Sequence, residues 1–223
     1  PEGGDALLQT ALDAFGRVDA LINSGGLLRD RMFVSMDVED FDAVVTGHLR
    51  THFCPTRAFA GHGRERSKAG ESVDAAIVMT TSNAGLFSQP GQSNYAAAKA
   101  GIAGLTVTLA DELDRYGVRV NAISPAARTR MTTEVEAMAE MVAAPDDPDA
   151  FDVFDPANVA SVVAWLVEPD RDVTGQILFV RGGELKLLRG WRYSHEHERD
   201  GRWDTAALDE VFADHEFERT PRA

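Results

Sequence analysis

The sequence predicts an α/β fold: a parallel sheet of about four strands with helices on both faces. Three observations predict it. Apolar runs near residues 19–22, 75–81, 118–124 and 175–180 have the length and composition of buried strands. Segments of helical spacing separate them, the alternation that builds a parallel sheet through crossover helices. Glycine and proline punctuate the boundaries.

In chain order, residues 5–15 place apolar side chains at helical spacing and Gly16 closes that helix. Asp19 to Ile22 form a short strand. Asn23-Ser24-Gly25-Gly26 follows, where two glycines permit close backbone approach, either as a tight turn or as one wall of a cofactor site. A helix from about Val38 carries His48, Leu49, Arg50, Phe53 and Arg57. The charged stretch Gly61 to Asp74 reads as a solvated loop. Residues 75–81 are a strand ending at Ser82, and a Gly/Pro/Ser/Gln loop leads to a helix from Ser93 to Tyr116, stopped by Gly117. Val118 to Ser124 is the next strand, ended by Pro125. Residues 134–144 and 156–167 read as helices, and 175–180 as a buried strand before Gly182-Gly183. Beyond Glu184 charges alternate in sign, with Trp191, Trp203 and Phe212 among them for packing on a neighbouring surface, and residues 205–213 form a capped helix.

Composition narrows the function. The 223 residues suit one domain, and 44% hydrophobic residues supply a sizeable core. A balance of 22 Lys+Arg against 36 Asp+Glu, net −14, argues against nucleic acid or an anionic membrane surface as partner. No apolar run approaches the roughly 20 residues of a membrane span, and the start lacks a signal-peptide pattern. The single cysteine, Cys54, permits no internal disulfide and fits a reducing, cytoplasmic compartment. No Cys/His spacing suggests a metal.

The chemistry concentrates between Ser82 and Lys99. Tyr95 and Lys99 stand four apart on one helix, so their side chains share a face. A free tyrosine, with a pKa of about 10, is a poor base near neutrality, and a neighbouring ammonium is expected to lower it. Ser82, at the end of the preceding strand, can donate to a substrate oxygen held against the Tyr95 hydroxyl. A Tyr-x-x-x-Lys pair alone is usually an ordinary amphipathic helix. Joined to a strand-end serine, a Pro-Gly-Gln turn and Asn94, it points to carbonyl reduction or alcohol oxidation.

This segment resembles the short-chain dehydrogenase/reductases, whose signature is a serine and, thirteen positions later, Tyr-x-x-x-Lys, matched here by Ser82, Tyr95 and Lys99. The resemblance runs from residue 5 to about 183. It implies a Rossmann-like three-layer α/β/α domain over 1–185 with a lid at about 132–156, and a C-terminal extension over 186–223. It implies NAD or NADP as cofactor, with serine orienting substrate, tyrosine transferring the proton and lysine also binding the nicotinamide ribose. Asn23 and Gly26 match a cofactor-lining turn, with Ser24 and Gly25 departing from it. Pro125 and Thr129 match a nicotinamide-contacting segment in which Ala126 replaces glycine. His48, within His-Leu-Arg after Leu-Arg-Asp-Arg, resembles the 3-hydroxyacyl-CoA dehydrogenase portion of multifunctional β-oxidation enzymes. It stands where many members carry a proton-relaying asparagine. A relay and a structural histidine bonded to a backbone carbonyl are both open readings. The family's Gly-rich phosphate turn does not occur before Asp19, so the domain is expected to be N-terminally truncated.

The expected function is an NAD(P)-dependent oxidoreductase interconverting a secondary alcohol and a ketone, with a 3-hydroxyacyl-CoA among the substrates considered and Tyr95 as general acid/base. A homo-oligomer, dimer or tetramer, is expected. The alternative is a cofactor-free pseudo-enzyme or assembly subunit, motivated by the missing turn and by a sheet edge left open at Leu21 and Ile22.

Overall fold

In the computed structural model the described residues are 2–134 and 136–217. Val135, inside the expected 134–144 helix and lid, and residues 218–223 of the extension lie outside them, as does Pro1. Helix α1 (Glu2–Phe15) precedes β1 (Ala20–Asn23). Helix α2 (Val38–Val45) runs through a π-helical turn (Thr46–Arg50) into α3 (Thr51–Lys68), which leads to β2 (Ala75–Thr80). A short α4 (Asn83–Leu86) and a long α5 (Ser93–Leu113) then precede β3 (Val118–Pro125). Next come α6 (Arg130–Thr133), α7 (Glu136–Met141) and α8 (Pro156–Val167), followed by β4 (Ile177–Arg181), β5 (Glu184–Leu188) and α9 (Thr205–Val211).

The strands form one sheet in the order β1-β2-β3-β4-β5, parallel except for the antiparallel β4–β5 pair. Strand periodicity of two sorts the core into two layers. Ile77, Met79, Val118, Val120, Ala122 and Ile177 face helices α3 and α5, which contribute Phe59, Ile102, Ala103 and Leu113. Val78, Ile123, Leu178 and Val180 face the other way, onto Leu166 and the valines of α8. Helices therefore cover both faces, the three-layer arrangement expected. Because both faces are buried, the strands read as nearly unbroken apolar runs.

Three expectations are corrected. The sheet has five strands, because Gly182-Gly183, with Gly182 at φ 52°, turns the chain into a two-residue hairpin that pairs Arg181 with Glu184. The boundary expected after residue 185 falls inside this fifth strand. The charged stretch from Gly61 is helical as far as Lys68: its buried face continues through Phe59, Ala60 and Gly63, and a Cβ on Gly63 would lie 2.9 Å from Val118 Cγ2. Helix α5 ends as expected, its last turn tightening before Gly117 in the left-handed region at φ 72°.

Candidate active site

The carboxyl ends of β1, β2 and β3, at Asn23, Thr80 and Pro125, lie side by side because these strands are parallel and in adjacent register. In open α/β sheets that rim is where ligands bind. Ser82 stands on it as the N-cap of α4, its Oγ accepting from Ala84 N–H at 3.2 Å. Two contacts seat this turn on α5. Thr81 Oγ1 donates to the Lys99 carbonyl at 2.7 Å, and a Cβ on Gly85 would lie 2.5 Å from Ala100 N. From β3, Ser124 Oγ donates to Asn83 Oδ1 at 2.9 Å. The Ser82 hydroxyl is thereby brought against the Tyr95 phenol, whose pKa it holds down.

Burial dominates that phenol's acidity nonetheless, pushing it above its ordinary value, and Asp30 adds to the rise. This reverses the direction expected from the Tyr95–Lys99 spacing. Lys99 is 3% exposed, sits 5.5 Å from the centre of the Tyr95 ring and donates from Nζ to the Thr80 carbonyl at 2.7 Å. Desolvation of its own charge lowers the ammonium to about 8, so the cation is weakened in the same environment that disfavours a phenolate. One of its three N–H donors is used on Thr80, which leaves donors free for a ligand.

Asn94 fixes where Tyr95 begins its turn. It is fully buried; its Oδ1 accepts from Tyr95 N–H at 2.8 Å and its Nδ2 donates to the Arg29 carbonyl at 3.0 Å. Gln92 Nε2 donates to Asp30 at 2.7 Å, so the segment after β1 is tied along the start of α5.

His48 lies in the π-helical turn, a feature that recurs at functional sites. Its ring meets Tyr95 edge to face with centroids 5.0 Å apart. Nε2 is 2.7 Å from the Leu27 carbonyl and 3.1 Å from Leu27 N, so the closer partner takes the Nε2 proton, and Nδ1 is left buried with no partner among the described residues. The backbone bond of the structural reading is thus present, and the orphaned Nδ1 leaves an acceptor beside Tyr95. Burial, reinforced by Lys99, lowers the ring to about 4 against a smaller opposing effect of the Leu27 backbone, so it is neutral at neutral pH. Gly26 lies under this ring: a Cβ there would stand 1.9 Å from His48 Cε1.

Asn23 is buried with its side chain turned inward, Nδ2 donating to Thr56 Oγ1 of α3 at 3.0 Å. A Cβ on Gly25 would meet nothing within 4 Å, which leaves open space beside this wall. Pro125 closes β3 on the same rim, and Thr129 follows as the exposed N-cap of α6 in a reciprocal capping box with Thr132. Among the described residues no hydrogen bond joins Thr129 to the Ser82, Tyr95 and Lys99 group.

One residue of the site escaped the sequence reading. His52, 1% exposed, bridges the π turn and the end of β2, with Nδ1 2.8 Å from the His48 carbonyl and Nε2 3.4 Å from Thr80 N. Its spacing of four from His48 was the available signal, since it puts both rings on one helix face.

A family model described as enoyl-(acyl carrier protein) reductase matches residues 1–184. A hydroxyacyl-CoA dehydrogenase of Mycobacterium tuberculosis is 40% identical over 222 residues, covering 97% of this chain and 68% of that protein. The peroxisomal multifunctional enzyme type 2 of Mus musculus is 37% identical over 188 residues, 84% of this chain and 23% of that protein. The crystal structure of a short chain dehydrogenase from Mycobacterium avium superposes with a TM-score of 0.84 at 44% identity, covering 96% of this chain and 69% of that one.

Proposed function

The chain belongs to the short-chain dehydrogenase/reductase family, and from that premise we propose that it interconverts a secondary alcohol and a ketone with NAD or NADP, acting on a 3-hydroxyacyl thioester. One observation carries the reading: Ser82, Tyr95 and Lys99 converge on the carboxyl rim of the sheet, with Lys99 holding unused donors beside the phenol. The relatives named for hydroxyacyl-CoA substrates support the thioester.

In the reducing direction the carbonyl carbon gains a hydride and its oxygen gains a proton. The nicotinamide cofactor supplies the hydride when bound. Tyr95 supplies the proton: a phenol kept protonated by burial is suited to giving it to an oxygen on which negative charge is growing. Ser82 donates a hydrogen bond to that same oxygen and fixes the carbonyl's direction. Lys99 would hold the cofactor's ribose through its free donors, and Gly26, Pro125 and Thr129 would supply the wall around it, with Asn23 bracing that wall from behind through Thr56. His48 relays the replacement proton through the neutral ring whose Nδ1 has no partner among the described residues. The family's Gly-rich phosphate turn is not among the 223 residues, so cofactor binding is measured separately. None of the similarities supports the cofactor-free alternative. A dimer or tetramer is part of the proposal, supported by the exposed apolar side chains Phe53 and Val107 on α3 and α5, and sedimentation velocity reads it.

The test is Tyr95→Phe, assayed by nicotinamide absorbance with a 3-oxoacyl-CoA. A fall in kcat of about 10²-fold or more is expected, with NADH or NADPH affinity by calorimetry unchanged. Turnover within twofold of the parent would overturn the assignment. The same assay across pH on His48→Asn reads the relay, which predicts a displaced pH–rate profile.

A further inference from the structure

We propose that the segment following β5 is an arm that docks on a second copy of this chain, with Trp191 and Tyr193 as its anchors. Residues 189–217 close on themselves. His195 meets His215 edge to face with ring centroids 4.7 Å apart, His197 meets Phe212 at 5.8 Å, and Phe217 packs on Phe212 and His215 at 5.2 and 4.5 Å. Arg199 lies over the Trp203 ring at 5.5 Å and pairs at 3.8 Å with Asp204, the N-cap of α9. The stretch from Arg189 to Trp203 is thereby folded back against the end of α9 as one small unit.

That unit has no hold on the body that carries it. Among the described residues no hydrogen bond, ion pair or ring contact joins residues 189–217 to residues 2–188, and neither apolar layer of the core includes a residue beyond Leu188. A unit of fewer than about 40 residues rarely holds its fold without a disulfide, a metal or an assembly partner. The one cysteine, Cys54, lies elsewhere, and among the described residues no three ligating side chains converge on a metal position. An assembly partner is what remains.

The arm's chemistry selects that partner. Its first half exposes the residue types that dominate the energetic centres of interfaces: Trp191, 75% exposed, and Tyr193, 90% exposed, with Arg189 and Arg192 between and beside them. They prolong, at the same two-residue spacing, the exposed leucines Leu185 and Leu187 of β5, the edge strand of the sheet. An open edge beside bare leucines invites a second chain. Residues 189–203 hold four arginines against three acidic residues, in a chain whose net charge is −14. A cationic, aromatic stretch therefore complements the acidic body of this same protein. Because it bonds nowhere to its own body, the body it meets is a second copy's, and identical arms make the contact reciprocal about a two-fold axis.

The arm rests on the homo-oligomer reading above and adds to it a contact separate from α3 and α5. Sedimentation velocity compares the full chain with its Trp191→Ser, Tyr193→Ser double variant. Both side chains are exposed within one copy, so the far-UV spectrum and thermal midpoint are expected to hold, while the dissociation constant of the assembly rises at least about thirtyfold. An unchanged constant would overturn the arm and leave the α3 and α5 contact standing; a parent that stays monomeric at every concentration would overturn both. A second measurement needs no variant. Amide hydrogen exchange over residues 185–193 of the parent is followed at protein concentrations on either side of that constant. Protection that grows with concentration is expected. Exchange at one unprotected rate throughout, or protection that dilution does not change and that therefore comes from the arm's own body, would overturn the arm. Neither readout uses turnover, so this contact and the assignment of Tyr95 fail separately.

Discussion

Gly26 is the residue with the least freedom in the site. A methyl group there would overlap the His48 ring, whose Cε1 and Nδ1 lie 1.9 and 2.3 Å from the Cβ position. His48 has no easy retreat, being 1% exposed and bound to the Leu27 backbone. Gly26→Ala is therefore expected to cost about 1–3 kcal/mol, the usual range for overpacking, read by urea denaturation, whereas Gly25→Ala, in open space, leaves stability near the parent's. Equal midpoints for the two variants would show that the ring can move aside. At this scale the sequence was legible where chemistry depends on spacing along one helix, as for Tyr95 and Lys99. It was illegible where burial decides. The spacing implies an ammonium that lowers the phenol, and the structure desolvates both groups, which raises the phenol and lowers the ammonium. Nor does spacing show that Asn23 turns its amide inward to Thr56 rather than towards a ligand.

Among the elements, the expected lid is held at its base by one ion pair. Arg128, in the loop between β3 and α6, binds Asp152 with two guanidinium nitrogens and donates to the Val142 carbonyl at 2.9 Å; its own N–H donates to the Phe154 carbonyl at 2.7 Å. Asp152 Oδ1 in turn accepts from Phe154 N–H at 3.0 Å, and Asn158 Nδ2 donates to the Asp152 carbonyl at 2.9 Å. Both ends of the segment from α6 to α8 thus meet at one guanidinium. Asp152→Asn keeps the shape and removes the charge, so amides of residues 142–154 are expected to exchange hydrogen at least about threefold faster while the sheet amides do not change. Uniform rates would show that the ion pair is ornamental. Helices with caps were readable, as with Asp155 and Pro156 opening α8. Strand β5 was not, although Glu184-Leu185-Lys186-Leu187 alternates as a strand does, because the segment is short, charged and exposed and reads as one with the charged tail that follows it. The far end of α3 was hidden by its charges, which lie on the solvent side of a helix whose inner face still packs.

For the whole molecule, two neutral histidines in the core set a limit on the acid side. Each falls from 6.5 to about 4 on folding, so between those values the unfolded chain binds more protons. Stability is complete above 6.5 and falls as pH drops towards 4, by at most about 1.4 kcal/mol per pH unit for each ring. Lys99 acts in the alkaline range with the same sign: its cost is full below 8 and is relieved as pH rises towards 10.5. Urea denaturation from pH 4 to 6.5 should therefore give His52→Gln a shallower pH slope than the parent by about one proton. Identical slopes would mean that His52 is charged in the fold. The fold class was legible at this scale for the reason that makes the sheet stable, since strands covered on both faces cannot hide their apolar character. The π-helical turn at Thr46–Arg50 extends the same logic to insertions and deletions. It works as a phase adjuster between two helices on one axis. Removing one residue along with the π turn would leave the phase unchanged, whereas closing it as an ordinary α-helix with every residue kept would turn everything after it by about 100°. Phe59 and Ala60 would then rotate off the sheet and His52 off Thr80, so the length of this one turn keeps the core and the catalytic rim in step.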